Sequence, residues 1–186
     1  LSKRDKEQLQ TLIIDFFAAS YAGYKQNRKF NQAVEKVVYP QCGAEESFVF
    51  FQTRKYPVRL AAFMNSLYGH GAELDDGNKS AAGHAGVHLI PAVFALADKL
   101  ESSNEDVLIA LATGYEAYIR ISSAAQPGLV QRGFHSTGMA GTLACAAACA
   151  RIYHLDAQGV EDAIALATTM TGGLLSYGDS RPAIKP

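Results

Sequence analysis

Apolar positions in this chain recur mostly at helical spacing. Leu9, Leu12, Ile13, Phe16, Phe17 and Ser20 fit the i, i+3, i+4, i+7 template and predict an amphipathic helix. Ser2 with Asp5 supplies a capping box at its start, and Gly23 is its expected end. A second helix is expected over residues 31–38, stopping before Pro40, because the residue ahead of a proline is driven out of the helical region. Residues 47–51 are β-branched or aromatic and read as extended or a strand. A third helix is expected over 58–71. The stretch that follows, to Gly86, has no period and reads as loop.

A fourth helix is expected from near Val87, with Pro91 in its first turn, where a missing N–H costs little. Ser103 with Asp106 predicts a capped start for a fifth helix, which runs to about Ala125 and ends at Pro127 and Gly128. Ser136 or Thr137 opens a sixth helix to about Tyr153. Asp156 caps a seventh that reaches Gly172-Gly173. No useful strand alternation appears elsewhere. The fold class expected is therefore all-α, a helical bundle with short connections forming a single domain over 1–186.

The sixth helix, "STGMAGTLACAAACA", has small residues on every face. Small side chains let helix backbones approach closely, so it is expected at the centre, buried on most sides. Cys145 and Cys149 lie one turn apart on it and read as small core residues.

Composition narrows the classes. The 186 residues are 48% hydrophobic and 19% charged, with formal net charge −1. Such a chain is globular rather than disordered. It has no basic block and no aromatic–basic interleaving, so no nucleic-acid partner is expected. The longest charge-free stretch, 133–150, is mostly Ala, Gly and Thr and too weakly apolar to span a bilayer, so no membrane association is expected. Three cysteines without a C-x-x-C fit a reducing compartment, and no leader is visible at Leu1. A cytoplasmic location is expected, or the mitochondrial matrix in a eukaryote.

Two stretches carry candidate chemistry. "YGHGAELDDGNKSAAGHAG" gathers acids (Glu73, Asp75, Asp76) and potential bases or cations (His84, Lys79) between two apolar helices, as proton transfer requires. It also reads as a solvated turn. "RGFHSTG" sets Arg132, His135, Ser136 and Thr137 around the positive end of a helix, which is an anion site in chemical terms or simply a helix cap. His70 with Asp75 or Asp76 could ligate a metal, but the spacing matches no zinc or EF-hand pattern. The DDxxD metal motif also fails, because Lys79 stands at its last position.

The segments "AAFMNSLYGHGAELDD", "HAG" at His84, "IPAVFALAD", "ATGYEAYIR", "GFHSTGMAGTLACAAACARIYHLD" and "AIALATTMTGGLL" resemble the MmgE/PrpD family in order and spacing, from about Leu12 to the C-terminus. That family includes 2-methylcitrate dehydratase, cis-aconitate decarboxylase and iminodisuccinate epimerase. The resemblance implies a large helical domain, with a smaller lid domain lying outside this sequence, and no cofactor or metal. It implies a lyase or isomerase that transfers a proton at a carbon α to a carboxylate of a small di- or tricarboxylate, working as a homodimer or with a lid-domain segment. The family's acidic loop falls on Glu73, Asp75 and Asp76, its two pocket histidines on His84 and His135, and its pocket lysine on Lys185. By this resemblance His84, Asp75, Asp76 and Lys185 are catalytic, and Glu73, Arg132, His135, Ser136 and Thr137 bind substrate. The sequence departs from the family at Glu73 (usually Asp), Gly77 (often Thr), and Ala85 and Ser136 (usually Pro), with a slightly longer loop before His84. Two rivals are a metal-dependent all-α hydrolase or lyase using His70 with Asp75 or Asp76, and a non-catalytic helical subunit that needs a second chain.

Overall fold

The structure, a computed structural model, describes residues 1–41 and 43–176. Lys185, the expected pocket lysine, and Cys42 lie outside the described residues. In chain order the elements are α1 (Lys3–Gln26), α2 (Arg28–Val38), a 3-10 turn at Tyr39–Gln41, β1 (Ser47–Phe48), β2 (Lys55–Tyr56), α3 (Val58–His70) and α4 (Gly86–Leu100). There follow α5 (Asn104–Ala125), α6 (Gly128–Gln131), α7 (Ser136–Ile152), α8 (Ala157–Ala167) and a 3-10 turn at Thr168–Met170. The fold is all-α apart from the antiparallel β1–β2 pair, which is two residues long on each strand.

Local side-chain caps set the starts of three helices, α1, α5 and α8. Ser2 and Asp5 close a full capping box on α1, with bonds of 3.2 and 2.9 Å. Ser103 Oγ accepts the Asp106 N–H, and Asp156 Oδ1 accepts the Gly159 N–H. Each such cap is worth about 1 kcal/mol.

Several expectations need correction, two of them for a visible tertiary reason. Helix α1 runs through Gly23 to Gln26, and a Cβ at Gly23 would strike the Tyr68 carbonyl. Gly23 is therefore the point where α1 and α3 cross closely, not a terminator. Pro91 is the sixth residue of α4, beyond the first turn. The Val87 carbonyl that its missing N–H would have served accepts a hydrogen bond from Ser66 Oγ on α3 at 2.9 Å. Helix α8 stops at Ala167, before the 3-10 turn, rather than at the glycine pair. The short helix α6 sits between α5 and α7, where only a chain break was expected.

The core has two parts. One joins Phe16 of α1, Leu89, Ile90 and Val93 of α4, Leu111 and Tyr118 of α5, and Ala140, Ala144 and Ala148 of α7. Burying each large side chain contributes about 1.5–3 kcal/mol. The other joins Val49 and Tyr56 of the hairpin region to Met64, Leu67 and Tyr68 of α3. Helix α7 packs against α4, α5 and α8, as its small residues imply. A Cβ at Gly141 would collide with the His88 ring of α4, and one at Gly114 with Leu89, so glycine sets both approaches. Cys145 and Cys149 pack against this core as free thiols. Burial pushes the Cys149 thiol up to about 11 and raises Cys145 too, so both stay protonated and act as apolar filling. Among the described residues no helix is long and apolar enough to cross a membrane.

Candidate active site

The loop over 71–85 carries the acids, and the fold ties it down at both ends and in the middle. Its ends are the C-terminus of α3 and the N-terminus of α4. In its middle Asn78 and Gly83 pair as an isolated bridge, and Asn78 Oδ1 accepts the Ala81 N–H. Ser122 Oγ of α5 donates to the Ala81 carbonyl at 2.6 Å. A solvated turn would need none of these anchors. Two non-glycine residues, Glu73 (φ 56°) and Ala82 (φ 51°), adopt left-handed backbone conformations. Such strain persists only where surrounding contacts over-determine it.

Asp75 is almost fully buried, and one of its oxygens serves two histidines. Oδ2 lies 2.9 Å from His70 Nδ1 and 3.4 Å from His84 Nδ1. The two rings are 5.4 Å apart. Burial would raise the Asp75 pKa, but the His70 hydrogen bond and the charges of His70 and His84 outweigh it, so the group sits below the usual carboxylate range. Asp76 does something different. Its Oδ1 accepts the Gly86 N–H at the start of α4, and its Oδ2 accepts the Tyr115 hydroxyl of α5, both at 2.9 Å. Burial, with Asp75 adding to it, pushes its pKa up despite those two donors and His84. Asp76 therefore holds the loop to α4 and α5.

His84 is oriented by the main chain. Its Nδ1 lies 2.6 Å from the Asp76 carbonyl oxygen, which can only accept, so Nδ1 carries the hydrogen and Nε2 is the basic nitrogen. The sequence left open whether an Asp side chain orients His84; the shortest contact is to backbone. The side chain is 34% exposed, enough to meet a ligand.

The second stretch adjoins the first. The His84 N–H donates to Thr137 Oγ1 at 3.2 Å, joining the loop to the first turn of α7. A Cβ at Gly83 would strike Tyr118 and Thr137, which shows how tight that seam is. His135, the N-cap residue of α7, is buried, and its N–H donates to the Gly173 carbonyl. The Ser136 and Thr137 hydroxyls, expected as ligand donors, are nearly closed off from solvent. Ser136 Oγ accepts from Gln126 Nε2 at 2.7 Å, so both hydroxyls stitch the helix start into the fold. Arg132 is exposed, and its guanidinium folds back on the Gly128 carbonyl (3.3 Å) rather than onto the histidines. Glu73 is exposed at the edge of the same loop.

His88, Tyr115 and Gln126 escaped the sequence reading. His88 lies on α4 near His70, Asp75 and His135, and burial pushes it down to about 4, so it is neutral near pH 7. No spacing signal marks these residues; only the packing of α4, α5 and α7 brings them to the loop. Among the described residues no group of three or more His, Cys, Asp or Glu side chains is arranged to hold a metal ion, and His70 faces Asp75 as a hydrogen-bond partner.

The MmgE/PrpD N-terminal domain model matches residues 1–184. The chain belongs to the MmgE/PrpD family. Among relatives of this MmgE/PrpD chain, the cis-aconitate decarboxylase-like protein oryM of Aspergillus oryzae is 35% identical over 131 residues, covering 66% of this chain and 27% of that protein. The cis-aconitate decarboxylase of Aspergillus terreus is 31% identical over 182 residues, covering 92% of this chain and 36% of that protein. The chain thus spans about a third of the length of the curated relatives it matches.

Proposed function

We propose that this MmgE/PrpD chain carries the proton-transfer wall of a lyase acting on a small di- or tricarboxylate, at a carbon α to a carboxylate. One observation carries the reading. His84 has Nδ1 committed to the Asp76 carbonyl and Nε2 as its basic nitrogen, beside the N-terminus of the 17-residue helix α7. The positive end of a helix favours a carboxylate, and a histidine exchanges protons near neutral pH. Asp75, held ionised, stabilises His84 when it carries the proton. His135 at the head of α7 binds the anion, with Arg132 able to swing in from its exposed position. Glu73 lines the loop edge, and Lys185 is the expected further cation.

The names of both relatives favour decarboxylation over dehydration or epimerisation. In that reaction a carbon–carboxylate bond breaks, carbon dioxide leaves, and the electron pair stays on carbon. The pair delocalises to a carbon α to a remaining carboxylate; His84, as the imidazolium that Asp75 stabilises, gives that carbon its Nε2 proton and is reprotonated from solvent. A lid segment or a second copy would cover the exposed side of His84.

The test is carbon dioxide release from cis-aconitate by the full-length protein, with incorporation of solvent deuterium into product carbon. His84→Asn keeps a donor toward the Asp76 carbonyl but has no Nε2. Turnover should fall about 10²–10⁴-fold with the unfolding temperature unchanged. Turnover within a few-fold of wild type would remove His84 from the reaction. A wild-type protein inert toward every small polycarboxylate would remove the lyase reading.

A further inference from the structure

His70 is the last residue of α3, and its side chain is 13% exposed. Its Nδ1 sits 2.9 Å from Asp75 Oδ2, the oxygen that also lies 3.4 Å from His84 Nδ1. An ionised carboxylate only accepts hydrogen bonds, so His70 Nδ1 carries the hydrogen of that contact. The two imidazoles approach one oxygen edge to face, with 63° between their planes. Asp75 itself lies in the loop, and its nearest donor from a regular element is His70, anchored in a helix that is itself pinned to α4 by the Ser66–Val87 bond.

We propose that His70 is a positioning residue for the proton transfer: its Nδ1–H locks the Asp75 carboxylate against His84, so that Asp75 sets the proton affinity of His84. This rests on the reading of His84 given above. Without that donor a buried carboxylate is free to turn and to take up a proton. A neutral Asp75 no longer stabilises the imidazolium of His84, 3.4 Å away. The other titratable groups facing the pair leave this coupling in place. Asp76 is held by Gly86 and Tyr115, Tyr115 is kept as a neutral phenol by burial and by Asp76, and His88 is kept neutral by burial. His135 of α7 acts on His88.

The experiment is a carbon-13 NMR titration of ring-labelled histidines in the full-length protein, with the His84 signal assigned by its loss in H84N. The variants are H70L, H70N and H70Q. Asparagine places an amide N–H close to where Nδ1 lies, and glutamine places its amide nearer Nε2. The His84 ring signals should titrate at lower pH in H70L and H70Q and return toward wild type in H70N. The acid limb of the kcat/KM profile should move with it. A purely structural role for His70 would lower the unfolding temperature without moving the His84 titration. An unchanged His84 titration in H70Q, or equal shifts in H70N and H70Q, would overturn the proposal even if H70L failed to fold. The titration needs no substrate, so its result stands apart from the turnover assay. A shifted His84 in a protein that turns over no polycarboxylate sinks the lyase reading and leaves the coupling intact.

Discussion

Glu46 and Asp76 each reach across the fold to the first N–H of a helix: Val58 of α3 at 3.1 Å and Gly86 of α4 at 2.9 Å. Each carboxylate spends its other oxygen on a side chain. Glu46 meets the Lys99 ammonium at 2.8 Å; Asp76 meets the Tyr115 hydroxyl at 2.9 Å. Their pKa values move in opposite directions. The Lys99 hydrogen bond and the Val58 N–H hold Glu46 below the usual range, while burial pushes Asp76 above it. The same functional group at the same kind of helix end thus becomes a surface ion pair near the hairpin and a desolvated hydrogen-bond acceptor beside the histidines. What separates them is desolvation and the choice of a neutral partner over a cationic one.

Breaking the seam between the loop that carries Asp76 and helix α7 should have the largest effect on this contrast. Gly83→Val would drive a side chain into Tyr118 and Thr137, costing about 3 kcal/mol in urea unfolding. It should also let water reach Asp76, whose carboxyl signal would then titrate at a lower pH. Unchanged stability would mean that the loop and α7 are not held together there.

Next come the Asp76 variants. Asp76→Ala leaves the Gly86 N–H and the Tyr115 hydroxyl without their acceptor and should cost about 2–3 kcal/mol. Asp76→Asn keeps an acceptor for Gly86 and cannot ionise, so it should cost less. The pH dependence separates the two acids. The raised pKa of Asp76 means its contribution is fully present below its unfolded value of about 3.9 and is lost as pH rises through the folded value. Asp75 is depressed, so its contribution is present above about 3.9 and is lost as pH falls through the folded value. Asn at 76 should therefore gain on wild type as pH rises from acid toward neutral, and Asn at 75 should lose ground over that rise. Urea midpoints across the range would show it, and parallel curves for the two variants would refute the assignment.

The smallest effect is expected at Glu46. Glu46→Ala should destabilise less than Asp76→Ala, and the difference from wild type should shrink as salt screens the Lys99 pair. The Asp76 variants should show no such salt dependence. Equal salt sensitivity at both positions would erase the distinction drawn from burial.

The starts of α1, α5 and α8 were legible because a cap needs only residues three apart: Ser2 with Asp5, Ser103 with Asp106, Asp156 with Gly159. The all-α class was legible for a related reason, since helical periodicity is a local pattern. The small-residue face of α7 announced its central place before any neighbour was known. The loop acids and His84 stood out as titratable groups crowded between apolar helices, and the motif order pointed to the family. Other features stayed hidden because they depend on partners far away along the chain. Gly23 reads as a stop unless the Tyr68 carbonyl is above it, and Pro91 reads as a helix start unless Ser66 supplies the missing bond.

The sequence by itself determined the all-α class, the capped starts of α1, α5 and α8, the small residues of α7 and the set of acids and histidines available. Tertiary structure alone decided which nitrogen of His84 is basic, that Asp75 is shared by two histidines, and that Asp76 is raised while Asp75 is lowered. The reason is physical. Periodicity and capping act within a few residues, whereas hydrogen-bond direction and proton affinity depend on what packs against a group and how much water that packing removes.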